Sequence, residues 1–571
     1  MPDPSQAGIH AFVQAGQALA QNLFGFLAQQ QANLGQQAIP LLPAGVMPDG
    51  GRLSELQRGY VEQHARLWNE MLRRRSAEAA LPEPGDRRFS APEWRESPVY
   101  DYLRRAYLIN AEFLRQVAES VPLEGQAKAR LRFLTRQYVD SMAPSNFAAT
   151  NPEFVRTALE SKGQSITAGI RNLIGDLEKG RVSMTDESVF EVGRNLAVTP
   201  GAVIYENELI QLIQYSPLTD TVAKRPLLVV PPCINKFYVM DLQPENSLIR
   251  YMVEQGQTVF LVSWRNVKAD LGHLAWDDYL EKGPLAAIAV VREISGMDKL
   301  NMLGFCVGGT ILSSALSVAR ARGDDPAQSM TLLTTLLDFS DAGEIGCLVD
   351  ETTVAAREAQ IGKGGLLHGR ELMNVFSALR ANDLVWQYVV GNYLKGRMPD
   401  AFDILYWNSD STNLPGPMLT WYVRNMYLHN SLRVPGRLEM CGASVDLTRL
   451  SMPTYILATR EDHIVPWQGA YLSRQLLGGP TTYVLGASGH IAGVINPAAK
   501  NRRSYWTNDR KGLNAPEWLA GAVENKGSWW PHWAKWISRF AGGKAKARGR
   551  LGDERYAPLE PAPGRYVKER A

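Results

Sequence analysis

The sequence predicts an α/β protein: a helical N-terminal domain, then a mostly parallel sheet with helices on both faces and a cap inserted late in the sheet. Three observations carry that prediction. Residues 52–185 place apolar side chains at helical spacing with charged residues opposite them. From about residue 226, short apolar runs alternate with helix-compatible stretches, the pattern of right-handed crossovers between parallel strands. The stretch 338–452 then interrupts that alternation without a strand rhythm of its own. A chain of 571 residues is too long for one core. The expected division is a helical domain at 1–188 and a sheet-bearing domain at 189–571, with the cap at about 339–452.

Taken in order, residues 1–45 are rich in Ala, Gln and Leu and almost uncharged. Phe12, Leu19, Leu23, Phe26 and Leu27 would form an apolar stripe on a helix. Such a stripe either packs on its own protein or lies on an apolar surface or partner. The lack of Lys and Arg on the polar face argues against an anionic membrane. Asp49-Gly50-Gly51 breaks the pattern. Helices are expected at 53–75, 100–121 and 126–142, punctuated by Pro82, Pro84, Pro92, Pro144 and Pro152.

Residues 190–215 read as antiparallel strands joined at Thr199-Pro200-Gly201. The apolar runs 226–232, 258–264, 300–305, 331–337, 453–459 and 481–485 read as parallel strands buried on both faces. Helices are expected between several of them, at 247–255 and 310–321 among others. Inside the interruption, 369–380 and 384–393 are helical pieces. An insertion there would sit over the carboxyl ends of the strands, where open α/β sheets bind ligands, so it reads as a cap or lid. Near the end, Trp529, Trp530, Trp533 and Trp536 cluster, as core packing or a dimer contact. The basic run 544–550 reads as a solvated tail.

Composition narrows the function classes. A net charge of +3 gives no case for a nucleic-acid binder. The four cysteines (Cys233, Cys306, Cys347, Cys441) are scattered, with no CxxC and no metal spacing, which suggests a reducing compartment. No basic segment precedes an apolar core at the start, so no secretory signal is expected. No apolar run approaches the length of a membrane span. These features lead to the expectation of a cytoplasmic protein, soluble or surface-associating.

The chemistry is expected at Gly304-Phe305-Cys306-Val307-Gly308, where an apolar run ends and a helix begins. This is the nucleophile-elbow pattern with Cys in place of Ser. The turn is sharp and strained, so a Cβ at either flanking glycine would collide with the neighbouring strand or helix. It also puts the Val307 N–H beside the sulfur, at a helix N-terminus, where it can donate to an oxyanion and favour thiolate. With four Cys and 49 Gly in the chain, chance supplies about 0.03 such patterns. The rival reading is a buried core cysteine.

Two further loops follow strands. Asp462 comes after the run 453–459, and Gly489-His490 after 481–485. The order nucleophile, acid, histidine, each just past a strand, is that of an α/β-hydrolase core. Cys306 would supply the thiolate, His490 the base, and Asp462 the group that orients the imidazolium or acts on a substrate hydroxyl. His463 competes for the base role but follows the acid too closely to be oriented by it. Asp338 and Asp341 are rival acids. The second oxyanion donor is expected from the loop after the first parallel strand, at the Ile234 N–H. Cys233, nearby, lacks elbow geometry. A thiolate exchanges readily with a thioester, so the nucleophile points to acyl transfer from an acyl-CoA. Lys236 and Arg380 are basic candidates for its phosphates, with no Gly-rich loop behind them.

At these residues the chain resembles the poly(3-hydroxyalkanoate) synthases. The resemblance rests on the elbow at 304–310, VPPCINKFY at 230–238, REDHIVPW at 460–467 and SGHIAGVINP at 488–497. DRRF at 86–89 and FEVGRNLAVTPG at 190–201 extend it, so that it runs from about residue 50 to the end. It implies an acyltransferase that polymerises (R)-3-hydroxyacyl-CoA, of which 3-hydroxybutyryl-CoA is the expected monomer, with release of CoA. The carried-over nucleophile is Cys306, the acid Asp462 and the histidine His490. In the family the aspartate is discussed as activating the 3-hydroxyl of the incoming unit. Trp407 matches a tryptophan linked to dimer contacts. Asn413-Leu414-Pro415-Gly416, with the length, looks most like the single-subunit, class I enzymes of short-chain monomers.

The resemblance further implies a homodimer at the surface of cytoplasmic polyester granules, with the growing chain and granule-coat proteins as partners. It implies no metal and no cofactor beyond the CoA of substrate and product. Two other readings share these residues: an acyl-CoA thioesterase or esterase, and a non-catalytic granule scaffold.

Overall fold

The computed structural model describes residues 49–73 and 86–571. The stripe expected within 1–45, and Pro82 and Pro84, lie outside the described residues. The described chain divides into two units. The first runs to Asp186 and takes in Asn374–Asp400 as well; the second holds Glu187–Met373 and Ala401–Ala571.

The helices of the first unit form where the 3.6-residue pattern places them: Gly50–Arg73, Pro98–Ser120 and Gly125–Ser141. Their apolar faces meet in a core containing Tyr60, Trp94, Leu114, Val117 and Val139. Proline opens Pro152–Glu160, where Asn151 caps the Glu153 and Phe154 N–H groups at 2.9 and 3.1 Å. Asn374–Asp400 joins this unit through polar groups. Tyr393 donates to Asp176 at 2.8 Å, and Asn392 to the Ser183 carbonyl at 2.7 Å. Sequence spacing carries no sign of such a return, because single side-chain bonds across more than 200 residues leave no periodicity.

The second unit is built on an eleven-stranded sheet. Its strands are β1 Gly201–Glu206, β2 Ile210–Tyr215, β3 Leu227–Val230, β4 Val259–Trp264, β5 Leu300–Phe305 and β6 Ala327–Leu333. There follow β7 Thr454–Thr459, β8 Thr481–Gly486, β9 Ser504–Thr507, β10 Val523–Lys526 and β11 Glu560–Pro561. Their order across the sheet is β10-β9-β8-β7-β6-β5-β3-β4-β2-β1-β11. The six from β4 to β8 pair in parallel and the flanking ones antiparallel. This is the α/β-hydrolase arrangement with added edge strands. Successive residues of β3 feed opposite cores, Leu228 and Val230 on one face and Leu227 and Val229 on the other, which is why the run is continuously apolar.

Two expectations shift. The turn between β1 and β2 lies at Asn207, whose side-chain oxygen accepts from the Leu209 and Ile210 N–H groups, both at 2.9 Å. Thr199-Pro200-Gly201 instead leads into β1. The strand expected at 331–337 is Ala327–Leu333. Its first half hides a buried polar pair, Ser329 donating to Asn301 at 2.8 Å, so hydropathy misplaces its start. At Thr334 the backbone turns to φ +42° and leaves the sheet. The strands β9, β10 and β11 have no apolar run to announce them. The tryptophan cluster is core: Trp529, Trp530, Trp533 and Trp536 are all buried. The basic run forms a short strand, Lys544–Lys546, paired with Thr221–Ala223.

Candidate active site

Strand β5 ends at Phe305, and helix Val307–Ala321 begins two residues later. Cys306 lies between them at φ +53°, ψ −130°, a conformation that L residues avoid. The surrounding atoms hold it there. Its N–H donates to Leu333 O of the neighbouring strand at 2.9 Å, and its carbonyl accepts from Thr335 Oγ1 at 3.1 Å. The glycines are compulsory. A Cβ on Gly304 would lie 2.4 Å from Gly309 Cα, and one on Gly308 would lie 2.3 Å from Val230 O. A Cβ on a third, Gly309, would lie 2.2 Å from Thr335 Oγ1. The helix can therefore press on the β3 and β6 loops, and Cys306 stays partly exposed at its start.

The acid and histidine loops extend the β7–β8 pairing. Arg460 N–H donates to Gly486 O at 2.8 Å and Glu461 N–H to Ser488 O at 3.0 Å. Asp462 Oδ1 accepts from the Ile464 and Val465 N–H groups, each at 2.9 Å. Its Oδ2 bonds His490 Nδ1 at 2.7 Å, and the carboxylate is fully buried. The other face of the imidazole reaches the Cys306 side chain by a hydrogen bond. Burial lowers the His490 pKa, but the Asp462 carboxylate, the Cys306 sulfur and the hydrogen bonds to both raise it to about 10. The Phe305 ring stacks on the imidazole at a centroid distance of 5.8 Å. Trp529 and Trp530 then fix the chain beyond the histidine, their indole N–H groups donating to Val494 O at 3.2 and 2.9 Å.

Cys306, Asp462 and His490 thus come together from three strand ends. Val307 takes the first helical position after the sulfur. The loop bearing Ile234 abuts the elbow, since Val230 O and Pro231 O are what a Gly308 side chain would strike. Trp264 Nε1 donates to Pro231 O at 2.9 Å and Trp407 Nε1 to Lys236 O at 2.6 Å, which braces that loop at both ends. Buried Trp407 packs within its own chain.

The rival residues sit elsewhere. Asp338 accepts from Ser340 N–H at 2.9 Å and Asn430 Nδ2 at 2.8 Å. Burial would raise its carboxyl, but those hydrogen bonds and Arg433 outweigh it and hold the group below the usual carboxylate range. Asp341 is exposed and accepts from the Gly343 N–H at 3.3 Å. His463 lies beyond Asp462, whose Oδ2 already bonds His490. Cys233 is buried, which pushes its thiol far up, with the Cys306 charge adding to the rise. Lys236 is 2% exposed and donates its ammonium to Glu569 O, so it offers no surface for a phosphate. Arg380 pairs with Asp383 in the first unit.

An aromatic group from the interrupting segment was not legible as part of the site. Tyr422 and Tyr427 meet edge to face at 5.5 Å, Phe339 packs on Tyr427 at 5.0 Å, and Trp276 stacks on Tyr422 at 5.2 Å. Burial pushes both phenols up; neighbouring groups, the Cys306 charge among them, add to the rise. They are half-buried and within electrostatic range of the sulfur, and they give the site an apolar wall. Isolated tyrosines in a segment without strand rhythm carry no spacing signal that could have found them.

A family model described as Poly-beta-hydroxybutyrate polymerase (PhaC) N-terminus matches residues 85–252, and one for the alpha/beta hydrolase fold matches 226–497. The chain is 55% identical over 533 residues to a Cupriavidus necator protein named poly(3-hydroxyalkanoate) polymerase subunit PhaC. The match covers 92% of this chain and 90% of that protein. A Rhizobium meliloti protein of the same name is 39% identical, over 92% of this chain and 87% of its own. Poly(3-hydroxyalkanoate) polymerase 2 of Ectopseudomonas oleovorans is 40% identical, over 86% and 87%.

Proposed function

The chain belongs to the poly(3-hydroxyalkanoate) polymerase family, and from that premise we propose a mechanism in which Cys306 carries the acyl chain. The protein is an acyltransferase that joins hydroxyacyl units from CoA thioesters into a polyester. The observation that carries the reading is the 2.7 Å bond between His490 Nδ1 and Asp462 Oδ2, which leaves the other ring nitrogen for the sulfur.

His490 holds the Cys306 proton as imidazolium while the thiolate attacks the thioester carbon. The tetrahedral oxyanion is held by the Val307 and Ile234 N–H groups. It collapses with loss of the CoA thiolate, which leaves with the proton from His490. An imidazolium with a pKa raised to about 10 keeps that proton available at neutral pH. The 3-hydroxyl of another unit then attacks the S-acyl group. Its proton passes to the ring, an ester forms, and the Cys306 sulfur is released. Asp462 is fully buried and its two oxygens accept from Ile464, Val465 and His490, which favours an orienting role over direct contact with the hydroxyl. Water at the S-acyl carbon would give a free hydroxy acid, so the Tyr422–Tyr427 wall is assigned its exclusion.

No redox step occurs, and acid–base and thiol chemistry suffice without a metal or a cofactor; CoA is part of the substrate and a product. The family reading also proposes a homodimer at the surface of a polyester granule in the cytoplasm, with granule-coat proteins as further partners. Among the described residues no helix is long and apolar enough to cross a membrane.

The test is CoA release from (R)-3-hydroxybutyryl-CoA with product mass read alongside, for wild type and Cys306→Ala. The expected result is CoA release with high-mass polyester, both lost in the variant. Release with only free hydroxy acid would make the protein a thioesterase.

A further inference from the structure

The basic run 544–550 has no part in this chemistry, and it is fastened rather than trailing. Beyond the pairing of Lys544–Lys546 with Thr221–Ala223, Lys224 N–H donates to Gly543 O at 3.0 Å and Ala547 N–H to Asp220 O at 2.9 Å. Arg548 Nη1 donates to Ile294 O at 3.1 Å, and Gly552 N–H to Gln214 Oε1 at 2.6 Å. The run is held along the rim from which β3, β4 and β5 set out. A cavity of about 260 Å³ opens there.

Lys224, Lys546, Arg548 and Arg550 line it, and no carboxylate does. Lys546 ends the short strand, and Arg548 and Arg550 follow it at a spacing of two. Among the described residues none of the four is ion-paired. Four like charges around one hollow repel each other, and low-dielectric walls focus their field on whatever enters. Those walls include Phe260 and Met297. Gln257 lines the same cavity, 5% exposed, and its Oε1 has no hydrogen-bond partner.

We propose that this cavity is a second ligand site, for a nucleoside diphosphate group. The cations take the phosphate oxygens, with arginine forks matched to them geometrically. The Phe260–Met297 wall takes the flat base, and the Gln257 amide meets a polar edge of it. The site is distinct from the catalytic one. Met297 precedes β5 and Cys306 follows it, so the strand separates them by roughly 20 Å of buried sheet. A free nucleotide and the nucleotide end of CoA share the chemistry required.

Titration calorimetry of the full chain with ADP tests this, beside the double variant Lys546→Gln/Arg548→Gln. The expected result is one ADP site in wild type, weakened at least tenfold in the variant, with an unchanged urea-melt midpoint to show an intact fold. Arg550→Glu gives a second, independent weakening. In Cys306→Ala saturated with hydroxyacyl-CoA, ADP binding that persists at one site supports a free nucleotide as the source. ADP displaced there by excess CoA, with the CoA affinity itself weakened in the double variant, supports the nucleotide end of CoA. No ADP binding by wild type, equal affinity in the variants, or binding of pyrophosphate as tight as ADP would overturn the proposal.

Discussion

Strands β6 and β7 lie side by side, and each passes its chain to a loop that carries an aspartate, yet the two aspartates do different work. Asp462 turns inward, takes two backbone N–H groups on one oxygen and gives the other to His490. Asp338 turns toward Ser340 and Asn430 and ties the start of the interrupting segment to its far end. Residue type and position after a strand are the same. The difference lies in the partner strand: β7 pairs with β8, whose loop bears the histidine, while β6 lies between β7 and β5. Adjacency to the histidine loop makes an acid catalytic here.

The sharpest way to break that comparison is to neutralise both. Asp462→Asn should lower kcat for CoA release by about 10³–10⁴-fold, since the imidazole loses its orienting carboxylate. Asp338→Asn should lose about 1 kcal/mol of stability and less than about tenfold in rate. Equal losses would contradict the assignment. The elbow offers the next largest effect. Gly308→Ala would drive a Cβ to 2.3 Å from Val230 O, a backbone atom that cannot swing aside. Destabilisation of about 3 kcal/mol or more in urea melts is expected, with loss of activity. Gly59→Ala, where nothing lies within 4 Å, should be neutral or stabilising on a helix.

His490 and His463 form a milder pair. His463→Gln should leave CoA release within about tenfold of wild type, whereas His490→Gln should abolish it. Protonation adds a stability signature. The folded His490 pKa is raised to about 10 from an ordinary 6.5. Its contribution is therefore complete below about pH 6.5 and is lost as pH rises toward 10. The stability difference between wild type and His490→Gln should shrink across that window. A difference that grew with pH would contradict the Asp462–His490 pairing.

Much of this was legible in the chain, for physical reasons. The elbow is local: its glycines, its nucleophile and the helix that follows are one contiguous string, and sterics alone demand them. The strands β3, β4, β5, β7 and β8 are buried on both faces and so read as apolar runs. The acid and the histidine follow strands in an order that adjacency in the sheet makes meaningful. What escaped was non-local. The start of β6 is masked by the Ser329–Asn301 pair, and β9 to β11 are partly exposed strands outside the parallel core of the sheet. The return of Asn374–Asp400 to the first unit rests on single contacts between distant residues, and the Tyr422–Tyr427 pair is local but comes near the sulfur only through the fold. The basic run is exposed, as its charge implies, but a strand pairing that charge does not announce holds it in place.

The most direct test of the central claim is where the acyl chain is attached during turnover. Wild type would be mixed with (R)-3-hydroxybutyryl-CoA, quenched in acid and digested, and its peptides weighed. Mass increments of hydroxybutyryl units on the peptide bearing Cys306, absent from Cys306→Ala and from the Cys233 peptide, are the predicted result. Increments on Cys233, or polymer formation with no adduct on Cys306 at any quench time, would contradict it.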